Sequence, residues 1–274
     1  MKKISSLHLF FSSASVLALS SFFINVSYSQ AEEQNVAGAG TVEMISNLPT
    51  GPVDPENPEN PVNPGPGPST IGPLRIDFVS TLNFGNNKIQ EKDRQFFANA
   101  QLFHDGTTPR GSYVQITDER SGKQGWTLQV RQEYQFKNPV IQETEAQELR
   151  GATLSFDHGW ANSAYPLETP PNVVKDTIEI TELATTQNVA VASENSGKGQ
   201  WTIEFGASKT NTNDRDNTLF LKQKPSGEAV LDQAFENQPV FENKAIFLSI
   251  PEGTVIKPVQ YQTELTWLLA ALPN

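Results

Sequence analysis

From Ile71 onward, polar and apolar residues alternate at period two in short runs separated by turn signals. Such alternation puts one set of side chains on each face of a strand and cannot serve a helix, whose faces repeat every 3.6 residues. Trp126, Leu128 and Val130 share a face in GWTLQV, and Trp201, Ile203 and Phe205 share one in QWTIEFG. The pattern recurs with Ile178 and Ile180, Val189 and Val191, Leu219 and Leu221, and Ile246 and Leu248. Leu265, Trp267 and Leu269 form the last such run. Breakers stand between the runs: HDGTTPRG, SGKQG, SENSGKG, NTNDRDN, KPSGE and PEGT. Glu143–Leu149 and Glu228–Phe235 are the only stretches with helical spacing, and both are short. The expected fold is all-β, an antiparallel sandwich or two stacked β-subdomains. Two Ser-Gly-Lys elements, Ser121-Gly122-Lys123 and Ser196-Gly197-Lys198, each precede a tryptophan strand and hint at related hairpins.

The N-terminal part reads differently. Residues 1–30 resemble an export signal: Lys2 and Lys3, a serine-interrupted apolar stretch from Leu7 to Val26, then small residues at Ser27, Ser29 and Ala31. Residues 31–70 carry acids and no Lys or Arg, and from Pro49 to Ser69 a proline occurs at nearly every third position. Prolines lack donors and this segment lacks apolar bulk, so it reads as a disordered, extended linker spanning on the order of 65 Å. Gly40–Leu48 is a candidate isolated strand with Val42 and Met44 on one face. The expected organisation is a leader over 1–30, an acidic Pro-rich segment over 31–70 and a β-domain over 71–274.

Charge and composition remove several function classes. A net charge of −11, or −13 once the two leader lysines are gone, leaves no basic footprint for nucleic acid. With no cysteine, a disulfide framework, a thiolate metal site, a cysteine nucleophile and a lipid-accepting cysteine are all excluded. His104–Asp105 and Asp157–His158, with Ser155 nearby, place titratable groups side by side. Adjacent strand residues face opposite ways, so they make poor catalytic couples, and no enzyme activity is expected. Asn211, Asn213, Asp214 and Asp216 form an oxygen-rich loop without the spacing of a calcium loop. Neither a metal nor another cofactor is expected.

The distinctive elements are two Trp-x-Leu triplets, Trp126-Thr127-Leu128 and Trp267-Leu268-Leu269. Residues i and i+2 of a strand lie on one face about 6.6–7 Å apart, so each triplet sets an indole beside an isobutyl group. Such a pair fills a β-core or, if exposed, forms an amphipathic platform for sugars or a protein. The leader, the Pro-rich segment, GPLRIDFVSTLNFG at Gly72–Gly85, the proximal triplet and the terminal LTWLLAALPN together resemble the WxL-domain cell-surface proteins of Gram-positive bacteria. The position after Trp267 is Leu rather than the commoner Thr.

That resemblance implies a secreted, wall-associated protein held non-covalently, with peptidoglycan as the ligand and Trp126, Leu128, Trp267 and Leu269 as the binding residues. It also implies other WxL proteins and a membrane-anchored WxL-binding protein as partners. The alternative it leaves open is a protein-interaction component of a surface complex, retained on the wall through that partner. Leu48-Pro49-Thr50-Gly51 lacks the spacing of a sorting signal, which agrees with non-covalent retention.

Overall fold

A computed structural model describes residues 51–92, 94–165 and 168–273. The expected leader and Gly40–Leu48 lie outside them. The strands are β1 (Leu74–Val79), β2 (Gln95–Asn99), β3 (Ser112–Asp118), β4 (Trp126–Gln132), β5 (Thr153–Phe156), β6 (Gly159–Asn162), β7 (Asn172–Val173) and β8 (Ile178–Ile180). They continue with β9 (Gln187–Ala192), β10 (Gly199–Phe205), β11 (Leu219–Leu221), β12 (Leu231–Asp232), β13 (Gln238–Pro239), β14 (Phe241–Ser249) and β15 (Leu265–Ala271). All pair antiparallel. The all-β antiparallel class therefore holds.

Three sheets share one core. The first has the order β1-β3-β10-β6, the second β11-β14-β5-β8 with β2 also on β14, and the third β15-β4-β9-β7. Ile116 and Ile203 from the first sheet, Leu154 and Ile246 from the second, and Trp126 and Leu128 from the third belong to one buried apolar cluster. Alternation read from the sequence chose these faces correctly for most strands, with two departures. A bulge in β9 buries Val189, Ala190 and Ala192 and leaves Val191 partly outward. On the short β11, Leu219 is buried and Leu221 exposed. Neither helical candidate is an α-helix. Residues 144–146 form a turn around the buried Ala146, and Gln233–Phe235 is one 3-10 turn capped by the Asp232 carboxylate.

The first and third sheets are linked by two chain crossings. β3 lies in the first sheet and β4 in the third; β9 lies in the third and β10 in the first. β3 pairs with β10 and β4 with β9, so the same two chain segments run side by side through both sheets. The two Ser-Gly-Lys elements sit at these crossings, in contact through Asn195 N–H and Lys123 C=O at 2.9 Å. Asp118 clamps both: it accepts from Arg120 Nε at 2.8 Å and Lys198 Nζ at 3.1 Å, while Arg120 Nη2 reaches Gly125 C=O at 3.0 Å. Burial raises the Asp118 pKa, but the hydrogen bonds from Arg120 and Lys198 outweigh it and hold the carboxyl below its ordinary value.

Residues 51–65 are not the free spacer expected from their prolines. They fold into a small hairpin strap with Asp54 N–H to Asn60 C=O at 2.9 Å and Val62 N–H to Pro52 C=O at 3.0 Å. Val53, Asp54, Pro55, Glu56 and Pro58 are buried. The strap covers the outer face of the first sheet, where Gln115, Thr117, Thr202 and Glu204 are buried although their polarity reads as solvent-facing. Gln115 accepts from Val53 N–H at 2.9 Å and donates to Gly51 C=O at 3.1 Å, and Asn162 donates to Pro55 C=O at 2.9 Å. These hydrogen bonds act together with the burial of Val53, Pro55 and Pro58 and the packing of Val62 against Phe78, Phe103 and Tyr113, and the two together order the segment.

One buried ion cluster anchors the strap. Arg110 grips Asp54 with Nε to Oδ1 at 2.7 Å and Nη2 to Oδ2 at 2.8 Å, and lies 3.3 Å from Glu56 Oε2. Glu56 also accepts from the Ser208 hydroxyl at 2.7 Å. Burial pushes Asp54 up, but Arg110 and Asn57 outweigh it and keep the carboxyl ionised to lower pH than usual. Glu204 is buried beneath the strap, accepting from Gly111 N–H at 2.8 Å with its second oxygen unpartnered. Burial, with the nearby Glu56 charge, raises its pKa well above the ordinary value.

Removing Arg110 leaves two buried carboxylates uncompensated. Arg110→Ala is expected to destabilise the domain by about 3–5 kcal/mol in urea unfolding. Glu204 adds a pH dependence. Because the fold favours its protonated form, its contribution is complete below the ordinary carboxylate range and is lost as pH rises through the elevated folded value. Glu204→Gln is therefore expected to match the wild type only at pH below the ordinary carboxylate range, and to exceed its stability by a margin that grows as pH rises from there to the elevated folded value. Parallel pH profiles for the two proteins would contradict this.

Candidate functional site

The two Trp-x-Leu triplets lie on neighbouring strands in register. Along β4 and β15, Leu128 stands opposite Leu269, Val130 opposite Trp267, and Trp126 opposite Ala271. The four expected site residues are thus brought together on the inner face of the third sheet.

Trp126 and Leu128 are completely buried. Of the two readings the sequence left open, core filling or exposed platform, these two side chains take the core position. Trp126 fills the space between the sheets, and its indole N–H donates to Gly197 C=O at 2.9 Å. A buried indole N–H needs such a partner. Two glycines allow the close packing around it, Gly125 against the Ala192 backbone and Gly197 against the indole itself. A Cβ on Gly125 would stand 1.8 Å from the Ala192 carbonyl oxygen, and one on Gly197 would stand 2.8 Å from the Trp126 indole nitrogen. Gly197 also has φ of +68°, which L side chains rarely adopt.

Trp267 and Leu269 are half-buried on an edge strand. The Trp267 ring meets Phe156 edge-on at a centroid distance of 5.9 Å and lies 6.3 Å from Phe205. This places the terminal triplet over the seam where all three sheets meet, closing the core from the open side. The sequence marked both tryptophans, but their partners Gly197, Phe156 and Phe205 come from distant segments. Only the Ser-Gly-Lys resemblance pointed toward Gly197.

The outer face of the same sheet is accessible and polar. Thr127, Gln129 and Arg131 on β4 point away from the core, as do Thr266, Leu268 and Ala270 on β15 and Asn188 on β9. Gln129 donates to the Asn188 side-chain oxygen at 2.8 Å. Arg131 pairs with Glu133 at 2.8 Å, and the Thr266 hydroxyl donates to the same carboxylate. The Thr266 and Arg131 contacts lower the Glu133 pKa. The result is a row of amides and hydroxyls beside Leu268 and Val191, with the one cation and one acid already paired.

The remaining sequence candidates have local roles. Asn211 ties its own loop, accepting from Asn213 N–H and Arg215 N–H at 3.1 Å each, while Asn213 donates to Glu56 C=O of the strap at 2.9 Å. Asp105 accepts from Asn63 N–H of the strap, and His104 stacks on Phe235 at 4.4 Å. His158 lies 3.5 Å from Asp157, both partly exposed. No group of three His, Cys, Asp or Glu among the described residues could hold a metal ion.

Trp126→Ala is expected to lower stability by about 3–5 kcal/mol in denaturant unfolding, as large-to-small changes in a packed core do. Gln129→Ala, on the outer face of the same strand, should stay within about 0.5 kcal/mol of wild type. Comparable losses for the two would contradict this assignment of faces.

No curated protein and no solved structure matches the chain. No helix among the described residues is long and apolar enough to cross a membrane. Residues 31–273 match the family described as WxL domain surface cell wall-binding. With that match over nearly the whole chain and both triplets paired in one sheet, the chain belongs to the WxL family of surface cell-wall-binding domains.

Proposed function

We propose that the chain is exported by its leader and held non-covalently on the Gram-positive wall by binding peptidoglycan through the outer face of the third sheet. The observation that carries the reading is the family match across the domain, joined to a sheet whose inner side is committed to the core. Gln129, Asn188, Thr127 and Thr266 supply the amide and hydroxyl groups that suit sugar hydroxyls and stem-peptide carbonyls. Leu268 and Val191 supply apolar contact for sugar C–H faces. A neutral, hydrogen-bonding face also fits a chain of net charge −11, or −13 without its leader, which gains nothing from electrostatic attraction to polyanionic wall polymers. On this reading Trp126, Leu128, Trp267 and Leu269 act indirectly, by holding β4 and β15 in register. The protein works by binding and carries out no chemistry.

The test uses insoluble peptidoglycan stripped of proteins and wall acids. Wild-type protein is expected to co-sediment, and the Gln129→Ala, Asn188→Ala double variant to bind about tenfold more weakly, the equivalent of losing two modest hydrogen bonds. Undiminished binding by a folded double variant would move the contact to another face. Absence of wild-type sedimentation would favour retention through a membrane-anchored partner protein.

A further inference from the structure

The terminal strand leaves one edge of the third sheet unpaired. In an antiparallel ladder, opposed residues alternate between hydrogen-bonded and non-bonded pairs. Gly125 with Leu272 and Glu133 with Glu264 are bonded pairs, through Leu272 N–H to Gly125 C=O at 3.0 Å and Glu133 N–H to Glu264 C=O at 2.9 Å. Continuing that register, Thr266, Leu268 and Ala270 bond inward to β4. Leu265, Trp267, Leu269 and Ala271 therefore direct their N–H and C=O groups away from β4, where no described strand is paired with them, although β1 lies near part of β15.

Other edges of the sheets are short, charged or covered. β7 has two residues, β8 and β11 three each, β6 four, and β2 five, with Asn99 N–H of β2 already bonded to Asn83 C=O at 2.7 Å. The six-residue β1 carries Arg75 and Asp77, and Thr70 caps its edge with N–H to Ile76 C=O at 2.8 Å. β15 alone among these edges has seven residues, Leu265–Ala271, with no charge and no proline. A long uncharged edge is a template for adding a strand.

We propose that β15 pairs antiparallel with β15 of a second copy about a twofold axis through Leu268. This goes beyond the wall-binding reading and does not depend on it. Centred there, Trp267 stands opposite Leu269 of the second copy and Leu265 opposite Ala271, so every outward residue of the strand finds a backbone partner. Centring on Trp267 or Leu269 instead leaves outward groups at one end unmatched. The same register places Glu264 opposite Leu272 of the second copy, so no like charges meet. The exposed flank of Trp267 packs beside Leu269 of the second copy, which makes the Trp-x-Leu triplet complementary to itself. The two four-stranded sheets merge into one of eight strands, and their outer faces become a single surface with the gain of a bivalent ligand.

The chain contains no cysteine, which allows a clean cross-linking test. Leu268 faces its own copy in a non-bonded pair, with Cα atoms about 4.5 Å apart, inside the range a disulfide spans. Leu268→Cys in the mature chain is expected to oxidise to a disulfide dimer about tenfold faster than Ala270→Cys, whose counterpart sits well along the strand. Mixing Thr266→Cys with Ala270→Cys should yield the cross-linked heterodimer, since those positions oppose each other. Sedimentation of the cysteine-free wild type should show a dimer that Leu268→Lys dissociates. Equal oxidation rates for Leu268→Cys and Ala270→Cys, or a wild type that stays monomeric, would overturn the proposal. Either failure leaves the sedimentation test with peptidoglycan untouched.

Discussion

Much of this fold depends on the Trp126 indole and its hydrogen bond to the Gly197 carbonyl. The bond joins β4 to the crossing that feeds β10, so it fixes the third sheet against the first. Gly125 and Gly197 are there because the indole and the paired backbones leave no room for a side chain. Asp118 secures the same junction from the first sheet through Arg120 and Lys198. With the crossings set, β4 presents its inner face to the core and offers its free edge to β15. The terminal triplet then lands opposite the proximal one and closes the seam over Phe156 and Phe205.

The strap poses the opposite physical problem. Beside the buried Val53 and the packing of Val62 on Phe78, Phe103 and Tyr113, its contact with the first sheet buries carboxylates and amides, each of which costs free energy unless it is hydrogen-bonded. Arg110 meets that requirement for Asp54 and Glu56, and Ser208 completes Glu56. Glu204 is the exception, with one buried oxygen unpartnered. A carboxyl in that position is stable in its neutral form, whereas Asp54 is stable as the ion, so the strap is held by two acids with opposite pH responses.

The sequence revealed the all-β class because period-two alternation is a local property of each strand. It identified Trp126, Leu128, Ile203 and Ile246 as sharing core faces for the same reason. It missed the strap because prolines and acids carry no sign of burial when their partners, Gln115, Arg110 and Ser208, lie far along the chain. It missed the bulge at Val189 because one inserted residue reverses a strand's faces without altering composition. Most relevant to function, alternation could pair Trp with Leu on one face but could not say whether that face met solvent. Burial of Trp126 follows from the packing of three sheets, a long-range property.

On the proposed reading, what the motif builds, with Trp126 and Leu128 buried and Trp267 and Leu269 half-buried, is separate from what would touch the wall. In this account the tryptophans are scaffold and the contact is made by Thr127, Gln129 and Asn188 behind them. The most direct test is a titration of isotope-labelled domain with soluble peptidoglycan fragments, followed by backbone and indole N–H resonances. The account predicts shifts at Thr127, Gln129 and Asn188 with the Trp126 indole signal unmoved. A Trp126 indole signal that shifts first and furthest, with the outer-face amides still, would contradict it.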